Sequence, residues 1–167
     1  TLDEGSSDSA VEGAFIEENG IVVIEMESAP ETPGDWKIGP SGDITSANID
    51  DEGQATGGQY LVWEGTQFFD TPGNGTITYP IQINTPGTYQ FNWRTQVGIG
   101  TNTTEHNDTW LKIEADSFFG EQGGGSIVCP IGLNPADNAC VGGDPEGAGG
   151  GGWFKIFSSG AQTWTWG

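Results

Sequence analysis

Thr104-Glu105-His106-Asn107-Asp108-Thr109-Trp110-Leu111-Lys112-Ile113 is the stretch whose reading decides the fold. Its second half, from Thr109 on, alternates side chains as a half-buried β-strand does. Its first half holds the only histidine of the chain, His106, between Glu105 and the pair Asn107-Asp108. Short hydrogen-bonding side chains at the mouth of a strand, next to Trp110, form a corner suited to a metal ion or a sugar. Carboxylates and carbonyls suit hard cations such as calcium, and aromatic faces suit the C–H faces of sugar rings. An ordinary polar turn capped by Asn107 and Asp108 fits the same residues.

Working outward, the chain is short of cations. It has 167 residues, the length of one domain, with 24 acidic residues against 4 basic and a formal net charge of −20. A phosphate-binding surface needs clustered Lys and Arg, so nucleic acid is excluded as a partner. Anionic membranes and strongly anionic ligands are disfavoured on the same ground. Calcium loading, a salty extracellular habitat and plain solubility each account for the acidity. The 29 glycines and 9 prolines fill gaps between short apolar runs, while 7 Trp and 8 Phe supply a core. That pattern predicts an all-β sandwich. No stretch repeats with helical period, and none is long and apolar enough to span a bilayer.

Residues 1–13 read as a flexible acidic lead and residues 14–167 as the domain. Gly20-Ile21-Val22-Val23-Ile24-Glu25-Met26-Glu27 reads as the first strand. Glu25 and Glu27, two apart, would share a face and repel, so a calcium ion between them is the economical partner. Alternatively both face water on an edge strand. Residues 31–58 read as a long connection whose one large aromatic is Trp36. Gln59-Tyr60-Leu61-Val62-Trp63 is the next strand, and residues 76–83 another, with Pro80 marking a bulge or an edge. Asn84-Thr85-Pro86-Gly87-Thr88 places Pro and Gly as a type II turn prefers. In Tyr89-Gln90-Phe91-Asn92-Trp93-Arg94 the aromatics face inward, and Arg94, the only arginine, faces outward. Its planar fork fits a sugar hydroxyl pair or a carboxylate, and pairing with a nearby acid is the competing role.

Trp153-Phe154-Lys155-Ile156-Phe157 and Thr163-Trp164-Thr165-Trp166-Gly167 read as two further strands. The last would leave a large apolar edge, so a missing C-terminal segment or a neighbouring subunit is expected to pair with residues 163–167. Cys129 and Cys140 predict a disulfide in an oxidising compartment. The chain starts at Thr1 as a processed product would, which reads as secreted and extracellular. Sequons at Asn74, Asn102 and Asn107 would accept glycans in a eukaryotic secretory route.

Residues 21–27, Gly58-Gln59-Tyr60-Leu61, Thr85-Pro86-Gly87-Thr88-Tyr89, Trp93-Arg94, residues 106–112 and Gly152-Trp153-Phe154-Lys155 together resemble the calcium-bearing carbohydrate-binding modules of families 6 and 35. The opening strand matches with Met26 in place of the usual alanine. The resemblance covers residues 14–167 and is closest to modules attached to secreted bacterial polysaccharide-active or adhesive proteins. It implies a jelly-roll β-sandwich that binds glycans without catalysis. It maps a structural calcium onto Glu25 and Glu27, and the carboxylate of Asp108 at the corner is counted with them as a candidate metal ligand on its own chemistry. It maps a lectin-like binding surface onto His106, Asn107 and Asp108 with Trp63 and Trp36, to which the residue chemistry above adds Trp110 and Arg94 as candidate ligand-binding residues. Such modules end in an Asp-bearing strand that completes the calcium site, and this chain has none, so the domain is expected to be C-terminally incomplete.

A polysaccharide or glycan is therefore the expected partner. The alternative is a structural subunit of an extracellular adhesin, filament or surface layer. Catalysis is the third reading, since paired carboxylates can hydrolyse a glycosidic bond. Yet Glu25 and Glu27 have no separate acid partner, and no Ser-His-Asp or metal-hydrolase motif appears. The expectation is a protein that is not an enzyme.

Overall fold

Cross-strand aromatic pairs, and the glycines that make room for them, shape this chain. The computed structural model describes residues 11–45, 54–68, 71–98, 106–122, 126–130, 148–157 and 163–167. Among the described residues the regular structure is β-strand, with three short 3-10 turns at Met26–Ser28, Thr56–Gly58 and Gly150–Gly152 and no α-helix. The chain is β-rich, as the composition predicts.

The strands are short. β1 (Phe15–Ile16) runs parallel to β4 (Ile81–Gln82). β2 (Trp36–Gly39) pairs antiparallel with β3 (Tyr60–Trp63), placing Trp36 opposite Trp63 and Gly39 opposite Tyr60. β5 (Arg94–Thr95) pairs antiparallel with β11 (Thr165–Trp166). β6 (Asp108–Leu111), β10 (Trp153–Phe157) and β9 (Ala148–Gly149) form a three-stranded antiparallel sheet in that order. β7 (Gly120–Gln122) and β8 (Ser126–Val128) form a hairpin.

Tyr60, Val97 and Phe118 are the buried apolar side chains among the described residues. Gly39 shows why the β2–β3 register is specific. A Cβ there would lie 2.2 Å from the Tyr60 ring, so only a bare backbone lets the ring lie across the ladder. On the opposite face Trp36 and Trp63 meet edge to face, with centroids 5.2 Å apart. The Trp36 indole N–H donates to the Gly75 carbonyl at 2.6 Å, and that of Trp63 to the Thr66 carbonyl at 3.1 Å. Gly75 is required twice over. Its φ is +61°, and a Cβ would stand 2.5 Å from the Trp63 ring.

Several expected elements form differently. Residues 21–24 alternate in burial as a strand does, with Val22 and Ile24 half-buried and Ile21 and Val23 exposed. They find no ladder partner among the described residues beyond the single bridge Glu18↔Ile21. The chain doubles back there through left-handed Asn19 and Gly20. The Glu17 carboxylate fixes that bend by accepting the Gly20 N–H and, from across the fold, those of Asn84 (3.2 Å) and Thr85 (2.9 Å). Gly87 lacks the positive φ of a type II turn. Of residues 76–83 only Ile81–Gln82 is strand, and of residues 89–94 only Arg94, with Tyr89 and Phe91 each 38% exposed rather than turned inward. The supposed connection 31–58 contains β2, whose Ile38 sits opposite Leu61. The last strand has a partner within the chain: beyond the β5–β11 ladder, Trp93 and Gly167 exchange N–H···O bonds of 2.9 and 2.8 Å. Of the lead, residues 1–10 lie outside the described residues.

Candidate functional site

The His106-Asn107-Asp108 corner lies at the start of β6. His106 has φ +62°, a left-handed conformation from which the chain turns into the strand. Its side chain is exposed, whereas Asn107 folds inward and is 8% exposed. That burial withdraws the Asn107 sequon from the surface. The Asp108 carboxylate is 3.4 Å from the Lys155 ammonium. Trp110 lies opposite Lys155, so Asp108, Trp110 and Lys155 share one face of the β6–β10 ladder. Phe157, directly opposite Asp108, is 56% exposed on that face. The Trp110 indole N–H donates to the Phe68 carbonyl at 3.0 Å, fixing the ring against the loop after β3.

The aromatics mapped onto the binding surface divide into two groups. Trp36 and Trp63 are half-buried, spend their N–H donors on backbone carbonyls and pack against each other, with Phe68 6.2 Å from Trp63. They build the loop end of the β2–β3 unit. Arg94 belongs elsewhere. Its Cζ lies 5.4 Å from the Trp164 ring centroid, and Nη1 donates to Thr56 Oγ1 at 3.3 Å. The expected pairing with an acid does not form among the described residues.

Glu25 and Glu27, expected to hold calcium, are carried at a 3-10 turn rather than on a strand. Glu25 precedes the 3-10 turn Met26–Ser28, and its carbonyl accepts the Ser28 N–H at 3.0 Å. Glu27 lies within that turn, where residues two apart point in different directions, so the two carboxylates do not share a strand face. Both are half-buried, and neither carboxylate has a hydrogen bond or ion pair among the described residues. Asp108 is committed to Lys155. Among the described residues no group of three or more His, Cys, Asp or Glu side chains converges as a metal site. The nearest functional consequence of Glu27 is on Tyr79. Burial, and secondly the Glu27 charge, push this phenol up to about 12, and its hydroxyl donates to the Met26 carbonyl at 2.7 Å.

Two polar centres were invisible to sequence reasoning. Glu17, buried, is held below the usual carboxylate range chiefly by the Gly20 N–H. Lys37 donates to Glu64 at 2.9 Å and to the Asp43 carbonyl at 2.5 Å, and Glu64 also accepts the Thr45 N–H at 2.6 Å. This knot ties residues 40–45 to β2 and β3, and the Glu64 hydrogen bond raises the Lys37 pKa. A cavity of about 220 Å³ lined by Pro30, Glu31, Pro33, Thr76, Ile77 and Thr78 contains none of the predicted site residues. Cys129 is not a free thiol, and Cys140 and Asn102 lie outside the described residues. No helix of the described residues is long and apolar enough to cross a membrane.

No known protein family, curated protein sequence or solved structure matches the chain.

Proposed function

We propose that this chain is a non-catalytic carbohydrate-binding module of a secreted, extracellular protein, built as a jelly-roll β-sandwich and stabilised by calcium. The observation that carries the reading is the mouth of β6. There an exposed imidazole, His106, and a half-buried carboxylate, Asp108, paired with Lys155, stand at the start of the strand that presents Trp110. Hydrogen-bonding groups of both signs around a fixed aromatic suit a neutral polyhydroxylated ligand. Calcium enters through Glu25 and Glu27, two half-buried carboxylates without a partner among the described residues, in a chain of net charge −20. Asp108 is left out of that set because Lys155 already neutralises it. A Cys129–Cys140 bond would stiffen the Gly-rich segment between β8 and β9.

Glycan-array binding by the purified chain and by His106→Ala and Asp108→Ala tests the site. Loss of binding with an unchanged melting curve supports it, and wild-type binding by both variants moves the site elsewhere. One observation favours the second reading, a subunit of an extracellular adhesin, filament or surface layer: Trp166 is 70% exposed on β11. Size-exclusion chromatography separates the two, because a glycan-binding monomer contradicts assembly as the main role.

A further inference from the structure

The chain has four cationic side chains, and the three lysines each pair with an acid: Lys37 with Glu64, Lys112 with Glu114 and Lys155 with Asp108. Arg94 does not. Among the described residues no carboxylate stands within ion-pair distance of its guanidinium, although the chain has 24 acidic residues. The group is nonetheless fixed. It lies over Trp164 at 5.4 Å, Trp164 packs on Tyr60 at 6.0 Å, and Tyr60 is 6% exposed. The hydrogen bond to Thr56 uses one of its five N–H donors. A guanidinium anchored to the core through two rings, with most of its fork unused, is pre-organised for a ligand.

The ladder supplies the second half of a site. Trp166 is directly opposite Arg94 in the β5–β11 register, so their side chains leave the same face of the ladder as close neighbours. Trp166 is 70% exposed, which leaves its indole open beside the fork. The neighbouring Trp93 ring is spent on Gly167, where a Cβ would lie 2.7 Å from the indole nitrogen.

The geometry points to a saccharide-binding platform at Trp166 and Arg94. The C–H face of a pyranose ring stacks on the open indole, and two adjacent exocyclic oxygens of the sugar accept parallel N–H bonds from the guanidinium. Paired oxygens of that spacing occur as vicinal hydroxyls on a neutral sugar and as the carboxylate of a uronate, and the same fork serves both. The platform rests on the carbohydrate-binding reading but assigns the contact to β5 and β11, strands that take no part in the β6 corner.

The test is titration of the wild-type chain, Trp166→Ala, Trp166→Phe and Arg94→Lys with neutral cello- and xylo-oligosaccharides and with an oligogalacturonate. Melting curves and sedimentation accompany each variant. Trp166→Ala and Arg94→Lys, which keeps the charge and removes the fork, should each weaken binding roughly tenfold or more. Trp166→Phe, which keeps a flat ring, should recover part of the loss. Binding of neutral sugars alone identifies the oxygens as hydroxyls, and binding of the uronate alone identifies a carboxylate. Wild-type affinity in both Trp166→Ala and Arg94→Lys overturns the platform while the carbohydrate-binding reading stands. Absence of saccharide binding by the wild-type chain overturns both. A dimer that Trp166→Ala converts to monomer, with sugar affinity unchanged, makes this face a contact between copies and also overturns the platform.

Discussion

Gly39→Ala probes the foundation on which Tyr60, Trp164 and Arg94 are stacked. The added Cβ would lie 2.2 Å from the Tyr60 ring, whereas carbon atoms rest at about 3.5–4.0 Å, so the ring must retreat by roughly 1.3 Å or more. Tyr60 is 6% exposed and has little room to retreat. Overpacking of this kind costs about 1–3 kcal/mol, and a displacement this large belongs at the upper end, ~3 kcal/mol. For a chain of this size that lowers the melting temperature by about 6–12 °C. Gly42→Ala is the matched control. Nothing lies within 4 Å of a Cβ there and its φ is not left-handed, so its melting temperature should stay level or rise slightly. Thermal unfolding followed by tryptophan fluorescence and near-ultraviolet circular dichroism reads both variants. If Gly39→Ala melts within about 2 °C of Gly42→Ala, the Tyr60 ring does not lie across Gly39, and the support beneath Arg94 is wrong.

Further outcomes follow from the other centres. Glu17 has a depressed pKa, so its stabilisation is present above the ordinary carboxylate value of about 4.3 and is lost as pH falls through the lower folded value. Glu17→Gln should therefore melt lower than wild type near neutral pH, with the gap closing in acid; an equal gap at both ends contradicts the assignment. Tyr79, pushed up to about 12, is protonated more tightly when folded, so its contribution holds below about pH 10 and is lost as pH rises from there through 12. Tyrosinate absorbance should show a late phase near pH 12 that Tyr79→Phe removes, while burial of Tyr89, which also raises its pKa, leaves that tyrosine's contribution in place. Chelation of calcium should lower the melting temperature, and the double variant Glu25→Gln/Glu27→Gln should melt alike with and without chelator. A wild-type melting temperature indifferent to chelation removes calcium from the proposal.

The legible elements were those whose partner pattern is written locally. Gln59-Tyr60-Leu61-Val62-Trp63 and Trp153-Phe154-Lys155-Ile156-Phe157 are dense in aromatic and β-branched residues, and the strands Tyr60–Trp63 and Trp153–Phe157 follow them almost residue for residue. The apolar run at residues 20–27 read as plainly as a strand, yet a strand also needs a neighbour to receive its hydrogen bonds, and no local pattern supplies one. β2 was hidden for the converse reason. Trp36-Lys37-Ile38-Gly39 is short and ends in glycine, and only the distant Tyr60 ring explains why glycine belongs there. At the corner, His106 and Asp108 were readable, but the ion pair that engages Asp108 depends on the β6–β10 register. Glu17 gave no signal because its partners are backbone N–H groups, which every residue except proline carries. Arg94 was singled out for its chemistry, while its unpaired state among the described residues depended on where 24 acids come to lie.

Glycan-array binding by the intact purified chain, in calcium-containing buffer, tests the central claim most directly. The account predicts reproducible, saturable binding to at least one polysaccharide class, with the bound oligosaccharide recovered uncleaved. Silence across neutral and acidic glycans from a chain that melts cooperatively would contradict it.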